Sequence, residues 1–212
     1  MKRKLERFAE IATFNNAFQK DCELKGKWNA EYFKNKNNIV LELGCGRGEY
    51  SVALARMFPE KNFIGVDVKG NRIWRGAKTG LEENLTNLAY LRAQIELLPD
   101  YFAENEVSEI WITFPDPQPQ ISREKKRLTS PRFIENYQRV VKPNSIIHLK
   151  TDNEALYLYS LEILDQMKIN PIAKTNDLYH SDILSEILEI KTTYESKYLR
   201  EGKKITYLSF KL

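Results

Sequence analysis

Ile39-Val40-Leu41-Glu42-Leu43-Gly44-Cys45-Gly46-Arg47-Gly48 is the stretch that decides the fold. An apolar run of strand length carries an acidic residue near its end and breaks into three glycines at alternate positions. About twenty residues on, a second apolar run, Phe63-Ile64-Gly65-Val66, ends in Asp67. This spacing predicts a βαβ unit. A tight glycine turn leaves the first strand, and a carboxylate at the tip of the second is placed to accept hydrogen bonds from ribose hydroxyls.

The glycines read G-x-G-x-G, so the third falls one residue earlier than the dinucleotide fingerprint requires. That pattern is better matched to S-adenosylmethionine, which has no pyrophosphate to seat on a helix N-terminus. Without side chains at Gly44, Gly46 and Gly48, the backbone can approach the adenosine and methionine parts closely. A glycine-rich turn with no ligand would not call for Glu42 and Asp67 in this order.

Working outward, short apolar runs alternate with amphipathic segments. Strands are expected at 39–43, 62–67, 88–92, 107–113 and 144–149, with a weakly marked one near 170–175. Helices are expected at 49–58, 70–84, 96–104, 131–140 and 153–167. Pro59 ends the first helix, and Pro143-Asn144 marks the turn before the fifth strand. The tail 204–211 alternates with period two and suits an edge-side antiparallel strand. Together these predict an α/β fold with a mostly parallel seven-stranded sheet, helices on both faces and an antiparallel C-terminal strand. No repeat or long linker divides the chain. Residues 1–212 read as one domain, with the lysine-rich 1–37 as an N-terminal basic extension.

The 212 residues are 42% hydrophobic and 29% charged, which is ordinary for a globular protein able to bury a core. The net charge of +4 hides a near balance of 33 basic and 29 acidic residues. The basic ones cluster at Lys2-Arg3-Lys4 with Arg7, at Arg123 with Lys125-Lys126-Arg127, and from Lys197 to Lys204. Cys22 and Cys45 have no metal-ligand spacing and imply free thiols in a reducing compartment. No His, Cys or carboxylate cluster has metal-ligand spacing either, so no metal is expected. No run is long enough to span a bilayer, and the charged start lacks an apolar signal core, so the expected compartment is the cytoplasm.

In an open parallel sheet, ligands bind beyond the carboxyl ends of the strands. Asp67 ends the second strand, Gln94 follows the third, Phe114-Pro115-Asp116-Pro117 the fourth and Thr151-Asp152 the fifth, so all converge beside the glycine turn. Three alternating prolines, Pro115, Pro117 and Pro119, make a stiff loop that can hold Asp116 in one place. The basic run Arg123, Lys125, Lys126, Arg127 then puts positive charge beside the mouth, where polynucleotide phosphates can lie. Thr151 or Asp152 is expected to cap the next helix. Thr192-Thr193-Tyr194-Glu195 can hydrogen-bond a purine edge or simply start a helix. His148, inside an apolar run, reads as a satisfied core histidine, and His180 as a loop residue.

These blocks, Leu-Glu-Leu-Gly-Cys-Gly-Arg-Gly, Phe-Pro-Asp-Pro, Lys-Lys-Arg-Leu, Lys-Thr-Asp-Asn and Thr-Thr-Tyr-Glu, resemble those of the bacterial tRNA (guanine-N7)-methyltransferases. The glycine block alone indicates a Rossmann-like class I methyltransferase; the order and spacing of all five indicate the family. The resemblance implies S-adenosylmethionine as cofactor, held by Glu42, the glycines, Asp67 and Gln94. It implies Asp116 as the catalytic residue, also touching the cofactor. Asp152, Thr192, Thr193, Tyr194 and Glu195 would bind the target guanine, with Gln120 near it. The substrate would be a guanosine in the tRNA variable loop, and the enzyme a monomer or homodimer.

The chain departs from the family pattern at several positions. Gln118 stands where Trp is usual, Gln120 where lysine is usual, Ile121-Ser122-Arg123 in place of Lys-Arg-His, and Gln94 in place of aspartate. An amide at Gln94 still offers an oxygen to the adenine amino group. Two other functions compete. Asp116-Pro117-Gln118-Pro119 distantly resembles the acidic-Pro-Pro-aromatic loop of amino-group methyltransferases acting on adenine or a small molecule, but its second proline is displaced and no aromatic follows. A non-catalytic RNA-binding module would show erosion at Glu42, the glycines, Asp67 or Asp116, and none is eroded.

Overall fold

The apolar run through Leu43 becomes the centre of an eight-stranded sheet in the computed structural model, which describes the backbone of residues 2–212 and the side chains from Leu5 onward. The side chains of the Lys2-Arg3-Lys4 cluster lie outside the described residues. The strands are β1 (Ala17–Phe18), β2 (Asn38–Leu43), β3 (Lys61–Val66), β4 (Leu88–Leu91), β5 (Val107–Thr113), β6 (Val141–Thr151), β7 (Pro171–Thr175) and β8 (Thr206–Lys211). They lie in the order β1-β4-β3-β2-β5-β6-β8-β7. The first six in this order are parallel, and β8 runs antiparallel to both β6 and β7.

The sheet has eight strands where the sequence pattern predicts seven. The extra strand is β1, which pairs Ala17 with Tyr90 and Phe18 with Leu91. A strand of two residues has no period to read. A second difference concerns the tail. It is inserted between β6 and β7 instead of lying at the edge, and all of β8 except Lys211 is buried.

The helices are α1 (Lys2–Ile11), α2 (Glu49–Met57), α3 (Gly70–Glu82), α4 (Leu98–Tyr101), α5 (Pro131–Gln138), α6 (Glu154–Gln166) and α7 (Thr193–Arg200). Helix α4 is shorter than expected, because a 3₁₀ turn over Ile95–Leu97 precedes it and Phe102 turns extended. The cap of α6 is Asn153, not Thr151 or Asp152. Its Oδ1 accepts from the Leu156 N–H at 2.8 Å, while Thr151 Oγ1 accepts from the Asn153 N–H one turn earlier.

Side chains alternate across each strand and build two cores. On one face Leu41, Leu43, Ile110 and Ile112 pack with Phe133 and Ile134 of α5 and Leu156 and Ile163 of α6. Trp28, fully buried, joins this core; it donates its Nε1–H to Tyr101 O at 2.9 Å and stacks on Phe102. On the other face Val40, Phe63 and Trp111 pack with Tyr50 and Leu54 of α2, Ile73 and Ala77 of α3, and Leu188. Each fully buried large apolar side chain contributes about 1.5–3 kcal/mol. A sheet covered on both faces leaves the carboxyl ends of β2 to β6 as its open rim.

Candidate active site

Gly44, Gly46 and Gly48 all have positive φ, at +73°, +55° and +70°, which L side chains rarely adopt. Their surroundings differ. A Cβ on Gly44 or Gly46 would meet nothing nearer than 3.9 Å, so both face open space. A Cβ on Gly48 would lie 2.3 Å from Tyr90 Oη, and that hydroxyl donates to Gly48 O at 3.0 Å. Gly48 therefore makes room for a buried tyrosine and lines neither of the two cavities that flank Asp116. The turn is tied to β3 by Gly44 and Cys45 N–H groups donating to Val66 O.

Asp67, at the tip of β3, is buried, and its two oxygens accept from the N–H groups of Gly46 and Lys69 at 2.9 and 2.7 Å. It lines a cavity of about 440 Å³ together with Gly44, Val68, Gln94, Leu128 and Phe133. That volume lies within the range of cofactor clefts, roughly 300–1,000 Å³. Apolar walls suit a purine, the open backbone at Gly44 permits close approach, and each Asp67 oxygen keeps a lone pair for a ribose hydroxyl. The residues therefore fit S-adenosylmethionine.

A second cavity of about 300 Å³ adjoins the first, and Asp116 lines both. Glu42, Gly46, Thr192 and Tyr194 also border it. Glu42 is buried; one carboxylate oxygen accepts from the Ser51 N–H and hydroxyl, the other from the Thr113 hydroxyl at 2.8 Å. Burial pushes its carboxyl up to about 7, against the pull of those donors and with some help from Asp67.

The loop after β5 opens and closes on residues with positive φ, Phe114 at 49° and Gln118 at 45°. Such backbones cost of order 1–3 kcal/mol each and persist where surrounding contacts enforce them. Here the Phe114 N–H donates to Lys150 O at 2.8 Å, and Arg127 Nε–H reaches Gln118 O at 3.3 Å. Within the loop Asp116 Oδ1 accepts from the Gln118 N–H at 3.0 Å, leaving the rest of an exposed carboxylate free.

Thr192 caps α7 by accepting from the Glu195 N–H at 3.1 Å. Glu195 does not reach either cavity. It is fully buried in an ion pair with Lys150 at 2.8 Å and accepts from the Tyr179 hydroxyl at 2.8 Å. Lys150, equally buried, also donates to Leu188 O and Ile190 O, at 2.8 and 3.2 Å. The sequence carries this residue at the head of the Lys-Thr-Asp-Asn block, but local spacing gives it no role. Thr193 bonds the Glu49 carboxylate, and Asp152 pairs with Lys203 at 3.0 Å. Gln120, Arg123 and Lys125 are exposed on the 3₁₀ turn Ile121–Lys126 and its cap, and of the basic run Lys126 alone lines the first cavity. Arg127 lies over the Tyr159 ring at 4.3 Å.

His148 is buried, bonded through Nδ1 to the Tyr207 hydroxyl at 2.7 Å and stacked on Trp111, so it is a core histidine. Its Nε2 makes no hydrogen bond and lies 3.3 Å from the Glu109 carboxylate, so it is satisfied on one side only. No metal-binding cluster occurs among the described residues, and no helix there is long and apolar enough to cross a membrane.

Solved structures share this architecture. The 16S rRNA methyltransferase KamB matches with a TM-score of 0.66 at 15% identity, over 88% of this chain and 93% of its own. A SAM dependent methyltransferase from Aquifex aeolicus matches at 0.57 with 19% identity, over 84% of this chain and 85% of its own. The fold is that of the S-adenosylmethionine-dependent methyltransferases.

Residues 36–208 match the family described as "Putative methyltransferase". A tRNA (guanine-N(7)-)-methyltransferase of Christiangramia forsetii is 50% identical over all of this chain and 98% of its own. The enzyme of that name from Bacteroides thetaiotaomicron is 47% identical over all of this chain and 86% of its own. This chain belongs to the tRNA (guanine-N(7)-)-methyltransferase family.

Proposed function

We propose that the protein methylates N7 of a guanosine in the variable loop of tRNA. Methyl transfer from S-adenosylmethionine to N7 of guanine in tRNA follows from full-length similarity to enzymes of that name. The observation that carries the site assignment is the position of Asp116, exposed where the two cavities meet. The protein acts as a single domain, as a monomer or homodimer, in the cytoplasm.

In this reading Asp67, Gln94 and the open backbone at Gly44 and Gly46 hold the cofactor, which supplies an electrophilic methyl group when bound. Guanine N7 already carries an in-plane lone pair and no proton, so the chain needs no general base. Its residues have to align the purine and stabilise charge. Methylation leaves the ring cationic, and the Asp116 carboxylate stabilises that growing charge or accepts from guanine N–H groups. Thr192 and Tyr194, across the second cavity, contact the base. Glu49 and Lys150 fix the segment that carries them. Lys126 and its neighbours face the phosphates.

Unmodified tRNA incubated with the protein and S-adenosylmethionine should yield 7-methylguanosine on nucleoside mass spectrometry. A tRNA whose variable-loop guanosine is replaced by adenosine should yield none. N6-methyladenosine in place of 7-methylguanosine would overturn the assignment.

A further inference from the structure

Helices α2, α3 and α7 frame an open groove of about 740 Å³ that Lys126 does not line. Arg47, Arg56, Arg75, Lys191 and Arg200 line it, against two carboxylates, Glu49 and Glu83. Both carboxylates are already committed. Glu49 accepts from the N–H and hydroxyl of Thr193, and Glu83 takes the Arg56 guanidinium. Arg47, Lys191 and Arg200 form no ion pair among the described residues.

The groove is continuous with the site. Arg47 and Arg75 also line a smaller hollow of about 330 Å³ with Arg7, Arg72, Trp74 and Tyr194. Arg47, Arg72 and Tyr194 in turn border the cavity at Asp116. A strip of guanidinium groups thus runs outward from Asp116. Two aromatics interrupt it: Tyr194, 46% exposed, and Trp74, over which Arg7 lies at 4.5 Å.

Guanidinium forks match phosphate oxygens in pairs, and the exposed Tyr194 ring between them can stack an unpaired base, whereas the Trp74 ring is already covered by Arg7 and Lys78. The groove is open to solvent and shares lining residues with the smaller hollow and the cavity at Asp116, which suits a polymer better than a small anionic metabolite. We propose that the groove carries the ribose-phosphate backbone of the substrate tRNA away from the reacting guanosine. It forms a second backbone track, separate from Arg123–Arg127. The inference rests on the tRNA reading above and adds to it the path of the polynucleotide.

Lys191→Gln combined with Arg200→Gln tests it, because both side chains are exposed and neither breaks an ion pair. Direct binding of unmodified tRNA, followed by fluorescence anisotropy over a salt series, is compared with wild type. The slope of log affinity against log salt should fall by about one for each phosphate that is no longer neutralised, and KM for tRNA should rise about tenfold. S-adenosylmethionine affinity and turnover at saturating tRNA should stay as in wild type. An unchanged salt slope and KM overturn the track, and leave the groove to some other acidic partner. Failure of wild type to form 7-methylguanosine is a different result, which overturns the functional reading.

Discussion

Asp67 Oδ2 accepts from the Gly46 N–H at 2.9 Å, so the carboxylate at the tip of β3 holds the glycine turn that leaves β2. The same group closes the turn and faces the cavity where a ribose would lie. Asp67→Ala should therefore weaken S-adenosylmethionine binding by one to two orders of magnitude, about 1.5–3 kcal/mol of charge-assisted hydrogen bonding. Isothermal titration calorimetry on the folded variant measures it. Unchanged affinity would remove Asp67 from the cofactor site.

Asp116→Asn should keep the loop, because an amide oxygen can still accept from the Gln118 N–H. In the proposed mechanism it removes the charge that would offset the cation formed at N7. Single-turnover methylation at saturating cofactor and tRNA should slow by about a hundredfold or more. Affinity for tRNA should change far less, since phosphates supply most of it. A rate within a few-fold of wild type would leave catalysis to alignment alone.

What was legible in the sequence is what lies close together in it. Gly44, Gly46, Asp67 and Asp116 were readable because turns and strand tips announce themselves by local spacing, and parallel topology then places them on one rim. Contacts between distant residues gave no such signal. Gly48 reads as a third cofactor glycine, yet Tyr90 occupies the space its missing Cβ leaves. Thr-Thr-Tyr-Glu reads as a guanine-binding group or helix start. Thr192 does cap the helix, but Glu195 turns inward to a lysine on β6. The arginines of the groove come from α2, α3, α7 and the turn after β2, so they form no run in the chain, whereas the exposed 123–127 run was conspicuous.

Lys150→Met should be strongly destabilising, by about 3–5 kcal/mol, because it leaves the Glu195 carboxylate buried and unpaired. Replacing both partners, Lys150→Met with Glu195→Leu, should recover most of that loss in urea denaturation. The double variant also loses the Lys150 bonds to Leu188 and Ile190 that steady the segment before Thr192. Its KM for tRNA should therefore exceed that of wild type while its cofactor affinity matches wild type. Stability no better in the double than in the single variant would show that the pair is not the source of the loss.

Glu42 makes the stability of the folded protein depend on pH. Burial raises its carboxyl from an ordinary 4.5 to about 7 in the folded protein. Between those values the folded chain keeps a proton that the unfolded chain has released, so this group's contribution to stability falls as pH rises through the window. The change is worth about 3 kcal/mol and is complete above the folded value. Glu42→Gln cannot ionise, and its amide oxygen can still accept from Ser51 while its NH₂ faces the Thr113 hydroxyl. Carboxylates common to both proteins cancel in the comparison. The unfolding free energy of Glu42→Gln minus that of wild type should thus rise by about 3 kcal/mol from pH 4.5 to 7.5 and then level off. Denaturant titrations at closely spaced pH measure that difference. A flat difference would mean that Ser51 and Thr113 stabilise the ionised carboxylate enough to offset its burial.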